Sequence, residues 1–172
     1  MQRVLPRNQL IDQCRLLRRD GKRIVFTNGC FDLLHAGHVA YLEEAAAMGD
    51  ALVVGINSDS SITGIKGPLR PILPEEDRAA IIAALRSVAL VTIFSEETPY
   101  ELIRAIEPDV LVKGGDYDPA ATDGPRYIVG SDIVRLHGGQ VRVIDIVEGR
   151  STTNIITRVL AANAPDITGP TF

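Results

Sequence analysis

Residues 27–38 read TNGCFDLLHAGH, and this stretch holds two of the chain's three histidines. It follows a short apolar run, RIVFT at 23–27, that reads as a buried strand between turn residues. Gly29 permits a tight backbone turn there. Gly37 and His38 then open a helical pattern over 37–48, with Val39, Leu42, Ala45 and Ala46 on one face and Gly49 at its end. A strand, a glycine turn and a helix start form one unit of an α/β fold. The free N–H groups of that helix start suit a phosphate.

The pattern continues outward from this unit. Residues 8–20 carry helical spacing (Leu10, Ile11, Cys14, Leu17) and end at Gly21. ALVVGIN at 51–57, ALVTIF at 89–94, DVLVKGG at 109–115 and VRVIDI at 141–146 read as further strands. A Gly/Pro-rich loop runs from Gly64 to Pro74, which starts a helix with Glu75, Glu76 and Asp77 in its first turn. Thr98 and Glu101 have capping-box spacing. Residues 126–137 read as a helix closed by His137-Gly138-Gly139, and GRSTTNIITRVL opens the last one. Apolar strands alternating with helices predict a Rossmann-like, doubly wound, five-stranded parallel sheet with helices on both faces. The expectation is a single domain over 1–162, with a frayed tail at 163–172.

Bulk properties narrow the function classes. The chain has 172 residues, 45% hydrophobic and 23% charged, which suits one soluble domain with a sizeable core. A net charge of −4 argues against a nucleic-acid partner. No apolar run approaches the ~20 residues of a membrane span. With two cysteines, Cys14 and Cys30, there is no disulfide framework, so a reducing, cytoplasmic setting is expected.

In doubly wound sheets, ligands bind beyond the C-terminal strand ends. The unusual polar clusters lie at those ends, at 27–38, 57–59, 113–116 and 148–153. His35 and His38, one turn apart, are candidates to donate to phosphate oxygens and stabilise developing charge. Packing or capping is the plainer reading of such histidines. A zinc site needs three or four protein ligands, and HxxH with Cys30 and Asp32 would be cramped. Cys30 as a nucleophile is a further alternative. GxGxxG and GxxxxGK[ST] are both absent.

GCFDLLHAGH resembles the GTFDxxHxGH signature of the HxGH nucleotidyltransferase superfamily, and EGRSTTNII resembles the second signature of its cytidylyltransferase-like branch. With VGINSD, KGPLRPILPEEDR and DVLVKGGDY in order over residues 8–160, the chain is similar to the adenylyltransferases acting on D-glycero-β-D-manno-heptose 1-phosphate. That resemblance implies transfer of AMP from ATP, accompanied by Mg²⁺, to a sugar 1-phosphate. It makes no resident metal site necessary. The nearest alternative is a cytidylyltransferase for glycerol 3-phosphate or a similar polyol phosphate; a non-catalytic nucleotide-binding protein is the alternative of another class.

The resemblance also implies residue roles. His35, His38 and Lys66 would be catalytic. Thr27, Asn28, Gly29, Cys30 and Phe31 would line the phosphates and nucleotide mainly through backbone, together with Lys113, Asp116, Arg150, Ser151, Thr152 and Thr153. Asp32, Asn57, Asp59, Lys66 and Arg78 would serve the sugar phosphate, with Asp32 as a loop-holding residue and Arg78 as an ion-pair partner in the plainer reading. Such enzymes are often fused to a sugar kinase; this sequence holds no such segment, so a separate kinase is expected to supply the substrate. Dimerisation is common in the family, and no residue pattern here establishes it. Residues 117–135 exceed the short connection usual at this position and are a candidate cap over the sugar or an oligomer contact.

Overall fold

The computed structural model describes residues 3–145 and 149–163. Five strands form one parallel sheet: β1 (Ile24–Gly29), β2 (Ala51–Asn57), β3 (Leu90–Phe94), β4 (Val110–Gly114) and β5 (Gln140–Ile144). Their spatial order is β3-β2-β1-β4-β5. The chain winds outward from β1 to β3, returns, and winds outward again through β4 and β5. The reversal lies between β1 and β4, where such sheets open a crevice.

Seven helices accompany the strands among the described residues: α1 (Arg7–Arg19), α2 (Ala36–Ala46), α3 (Asp59–Lys66), α4 (Glu75–Ala83), α5 (Tyr100–Ile106), α6 (Ser131–Leu136) and α7 (Thr152–Ala162). Alternation along β1 explains the two layers. Ile24 and Phe26 face a core with Leu10 of α1 and Leu102 and Ile106 of α5. Val25 faces the opposite core with Leu42 of α2 and Ile82 of α4. The doubly wound expectation is met, with apolar surface buried on both faces of the sheet.

Local differences from the sequence reading have physical causes. The stretch taken as loop from Gly64 begins inside α3, which Ser58 caps by accepting the Ser61 amide at 3.2 Å. Gly64 and the β-branched residues hide that helix from propensity. Thr98 does not cap α5, whose N-cap position is Pro99, and Glu101 pairs with Arg104. The helix expected over 126–137 is confined to α6. Gly130 takes φ 84° in the left-handed region, and Ile128 enters the core instead of continuing a helix. The strand expected over 141–146 ends at Ile144; Ile146 lies outside the described residues, as does the tail from 164 onward.

Candidate active site

The site is built on the turn after β1. Phe31 is a non-glycine residue at φ 45°, a strained left-handed conformation. Its ring lies where a Gly29 Cβ would come within 3.1 Å, so position 29 suits glycine. Two buried charges hold this turn. Asp32, 2% exposed, accepts from Arg70 Nε at 2.6 Å and from the Ile72 and Leu73 amides at 2.7 and 3.2 Å. Burial pushes its carboxyl upward, but the Arg70 hydrogen bond and those amides outweigh burial and hold it below the usual range. Arg78, 1% exposed, donates to Cys30 O at 2.6 Å, Leu73 O at 3.0 Å, and Asn57 O and Asp59 Oδ1 both at 2.8 Å.

These contacts favour the plainer readings of Asp32 and Arg78, and they give Arg78 an acid partner, Asp59, that was expected at the sugar phosphate. Arg78 points inward and ties three segments together; it does not reach toward a phosphate. Asp59 pairs with it, and Asp32 holds the 70–73 loop. All three brace the site walls, although Asp32 also touches the cleft.

His35 occupies the N-cap position of α2, and its ring stacks on His38 with centroids 3.8 Å apart and planes 22° from parallel. The Phe31 ring meets His38 edge-on. The His35 amide donates to His38 Nδ1 at a long 3.4 Å, which leaves Nε2 as the protonated, donating nitrogen of a neutral His38. Burial, then the charges of His35 and Lys66, push His38 down to about 4. Burial and Arg150 lower His35 as well. His35 Nδ1 is buried with no hydrogen-bond partner among the described residues. The pair therefore offers neutral donors near pH 7 instead of an imidazolium.

The start of α7 meets the start of α2. Ser151 caps α7 by accepting the Asn154 amide at 3.1 Å, and Thr152 Oγ1 reaches Leu33 O at 3.5 Å. A Cβ on Gly37 would approach Arg150 Cβ within 3.3 Å, so glycine lets the two helix starts converge. Both helices have 11 residues, and both present free N–H groups and positive dipole ends to the same space.

That space is a cleft of about 390 Å³. Asn28, Gly29, Cys30 and Phe31 line one side, His35, His38 and Lys66 another, and Arg150, Ser151, Thr152 and Thr153 a third. A second cleft of about 420 Å³ shares Asn28, Gly29, Cys30 and Gly114 with it. Asn57 and Lys113 face this second cleft. Lys113 Nζ lies 2.5 Å from Asn28 Oδ1, and burial lowers its ammonium to about 8, with Cys30 opposing the shift. A third hollow beside His35 and Arg150 runs along α7 past Asn154 and Arg158.

Thr27 and Asp116 line none of these clefts. Thr27 is fully buried and bonds Tyr41 at 2.6 Å, while the Asp116 carbonyl accepts from Arg126. Thr27 was expected to act mainly through its backbone, and its side chain takes this packing role. Tyr41 itself was not singled out from the sequence. Its hydroxyl donates to Val112 O at 3.2 Å, so it accepts from Thr27 and bridges α2, β1 and β4. Its ring lies within 3.2 Å of where a Gly114 Cβ would sit. Its position three residues after His38 was the available signal. Among the described residues, no group of three or more His, Cys, Asp or Glu could hold a metal, and Asp32 is already engaged by its three donors.

The family model described as cytidylyltransferase-like matches residues 26–158. The bifunctional protein HldE of Syntrophotalea carbinolica is 54% identical over 158 residues, covering 92% of this chain and 31% of that protein. The bifunctional protein HldE of Wolinella succinogenes is 51% identical over 158 residues, with the same two shares, 92% and 31%. The chain thus spans less than a third of the length of these relatives. Among solved structures, the lipopolysaccharide core biosynthesis protein from Thermoplasma volcanium superposes with a TM-score of 0.56 at 26% identity, over 76% of this chain and 100% of that one.

Proposed function

We propose a reaction from one premise, that this chain belongs to the cytidylyltransferase-like family: it transfers AMP from ATP to D-glycero-β-D-manno-heptose 1-phosphate, giving ADP-heptose and pyrophosphate. The chain is a nucleotidyltransferase, and residues 1–162 are read as one such domain. The observation that carries the reading is the convergence of two helix starts, two stacked neutral histidines, Lys66 and Arg150 on one cleft. The HldE relatives and the lipopolysaccharide core biosynthesis protein support the sugar.

The chemistry follows from that donor set. An oxygen of the sugar phosphate attacks the α-phosphorus in line, forming the new P–O bond as the bond to pyrophosphate breaks. The nucleophile is already an anion, so no base is required, and catalysis rests on position and charge stabilisation. His38 Nε2–H and His35 donate to phosphate oxygens. Lys66 and Arg150 offset the charge gathering on pyrophosphate. Mg²⁺ accompanying ATP would supply further neutralisation of phosphate charge beside Lys66 and Arg150. Asp32 and Arg78 hold the turn that aims these groups.

No helix among the described residues is long and apolar enough to cross a membrane. Because the nucleotide is ATP, the reading places the enzyme in the cytoplasm. A homodimer is part of it, with the exposed Val159 and Leu160 of α7 as apolar surface for such an assembly. The deciding experiment is pyrophosphate release from ATP, CTP and GTP, each with heptose 1-phosphate or glycerol 3-phosphate. Release with ATP and heptose 1-phosphate alone is expected. Release with CTP and glycerol 3-phosphate would transfer the assignment to a polyol-phosphate cytidylyltransferase. Nucleotide binding without release from any pair would make the chain non-catalytic.

A further inference from the structure

Residues 116–130 are a built wall, held at several points. The Asp118 amide donates to Arg126 O at 3.0 Å, and Arg126 Nε donates to Asp116 O at 3.0 Å, closing the segment on itself. Arg135 donates to the Pro119 carbonyl and, at 3.1 Å, to Ser131 Oγ. Ile128 is fully buried. Gly130 sits against Ile103, where a Cβ would come within 2.6 Å of that side chain. The Asp132 carboxylate accepts from Tyr127 at 2.9 Å with one oxygen and from Tyr100 at 3.3 Å with the other. One residue of α6 thereby clasps the wall to α5.

The free face of this wall is turned to the second cleft, to which it contributes Tyr117, Pro125, Tyr127 and Val129. The opposite side carries Asn57, Glu97 and Thr98. Aromatic and apolar faces suit the C–H faces of a sugar ring, and the amide, carboxylate and hydroxyl suit its hydroxyls. At the floor lies one cation, Lys113, with its nitrogen 5.9 Å from the Tyr117 ring centroid. One ammonium matches one phosphate monoester. Lys66 and Arg150, which face the triphosphate, belong to the other cleft. In-line attack requires the nucleophile to arrive opposite the leaving pyrophosphate. The second cleft, joined to the first through Asn28, Gly29, Cys30 and Gly114, provides that approach.

Resting on the reaction proposed above, we infer that the 117–129 wall determines acceptor specificity: Tyr117 and Tyr127 contact the sugar ring, and Asp132 is the positioning residue that fixes Tyr127. The wall recognises the carbohydrate part of the acceptor, while Lys113 takes its phosphate.

The test compares wild type with Tyr117→Ala, Tyr127→Ala and Asp132→Asn. Tyr117 is 38% exposed, so its variant should fold, and thermal melts check the other two. Calorimetric titration with heptose 1-phosphate and with inorganic phosphate is the first readout. Wild type is expected to bind the sugar phosphate more tightly, and Tyr117→Ala to lose roughly 10-fold to 100-fold of that preference, the scale of a hydrophobic-pocket discrimination. In turnover, the acceptor KM should rise by the same factor while the ATP KM stays within about twofold, with Asp132→Asn following Tyr127→Ala more weakly. Equal wild-type affinity for both probes, or a parallel rise in the ATP KM, would overturn the inference. If wild type turns over only another phosphate acceptor, the proposed sugar fails; the KM split measured with that acceptor then decides the wall's role separately.

Discussion

The two clefts that meet at Gly29 and Gly114 are made in different ways. The first draws most of its lining from two short stretches, 28–41 and 150–153, each running into a helix start. The second is assembled from β1 and its turn, β2, α3, the loop before α5, β4 and the 117–129 segment, with Asn57 alone from β2 and Ile65 alone from α3. A local motif can carry the first cleft because a turn and a helix N-terminus form a phosphate site over about a dozen residues. Only the winding of the sheet brings the parts of the second together. Beneath both lies Arg78, bonded to the β1 turn at Cys30, to the end of β2 at Asn57 and to the loop at Leu73.

The largest expected effect breaks both halves together. Arg78→Met leaves three carbonyls and the partly exposed Asp59 carboxylate without their donor, and each buried carbonyl left unpaired should cost about 1–3 kcal/mol. Chemical denaturation measures it. Both substrates should lose affinity in the protein that remains folded. A variant with wild-type stability would show that the clefts do not share this brace.

His38→Ala should separate the halves. It removes one aligned donor from the first cleft only, so kcat should fall by roughly 10²–10³ with the acceptor KM little changed. His38→Gln, which can place an N–H near the Nε2 position, should recover part of the rate. The same residue has a stability signature. With the native value near 4 and the ordinary value 6.5, the unfolded chain binds the extra proton across that interval. The stability that His38 contributes is complete above about pH 6.5 and is lost as pH falls toward 4. The acid-induced loss should be smaller in His38→Gln; an identical loss would leave the native value unperturbed.

The same contrast explains what could be read in advance. The strand pattern in RIVFT, ALVVGIN and DVLVKGG was enough for the doubly wound sheet, because fully buried strands are continuous apolar runs. The cluster of His35, His38, Arg150 and Ser151 was visible because its residues lie in two compact motifs. Arg78 could not be sorted from Lys66 by residue type, since both are cations near the same loop. Burial separates them: Arg78 donates to four backbone and carboxylate oxygens, whereas Lys66 faces the cleft. Thr27 shows the mirror case, a motif residue whose side chain is turned into the protein toward Tyr41, leaving its backbone as the part that could serve a ligand. The length of 117–135 marked that segment as a candidate cap over the sugar, but no local pattern singled out Tyr117 and Tyr127, and the helical look of 126–130 hid how the segment is held.

Lys113 sharpens the second cleft's role as the acceptor side. Its ammonium, lowered to about 8, is charged in the free enzyme at pH 7 and loses its proton as pH rises through that value. The kcat/KM for the sugar phosphate should therefore decline above about pH 8, while that for ATP does not follow it. Lys113→Met should cost roughly 10-fold to 100-fold at pH 7, the worth of a charge-assisted hydrogen bond, and flatten the alkaline limb. A limb that persists in this variant would assign the titration to another group.

The smallest effect concerns the helix that closes the first cleft. α7 has no buried residue among those described, so its first turn depends on caps more than on packing. Ser151→Ala removes the acceptor for the Asn154 amide, worth about 1 kcal/mol, while the Asn154 side chain can still hold Gly149 O. Such a loss is local: the helix start opens without the sheet. Amide exchange at the α7 start should accelerate roughly fivefold, the factor that 1 kcal/mol represents, with little change in global melting. The ATP KM should rise with it and the acceptor KM should not, because Ser151 lines only the phosphate side of the junction at Gly29 and Gly114. An acceptor KM that moved equally would mean that the two clefts open and close as one.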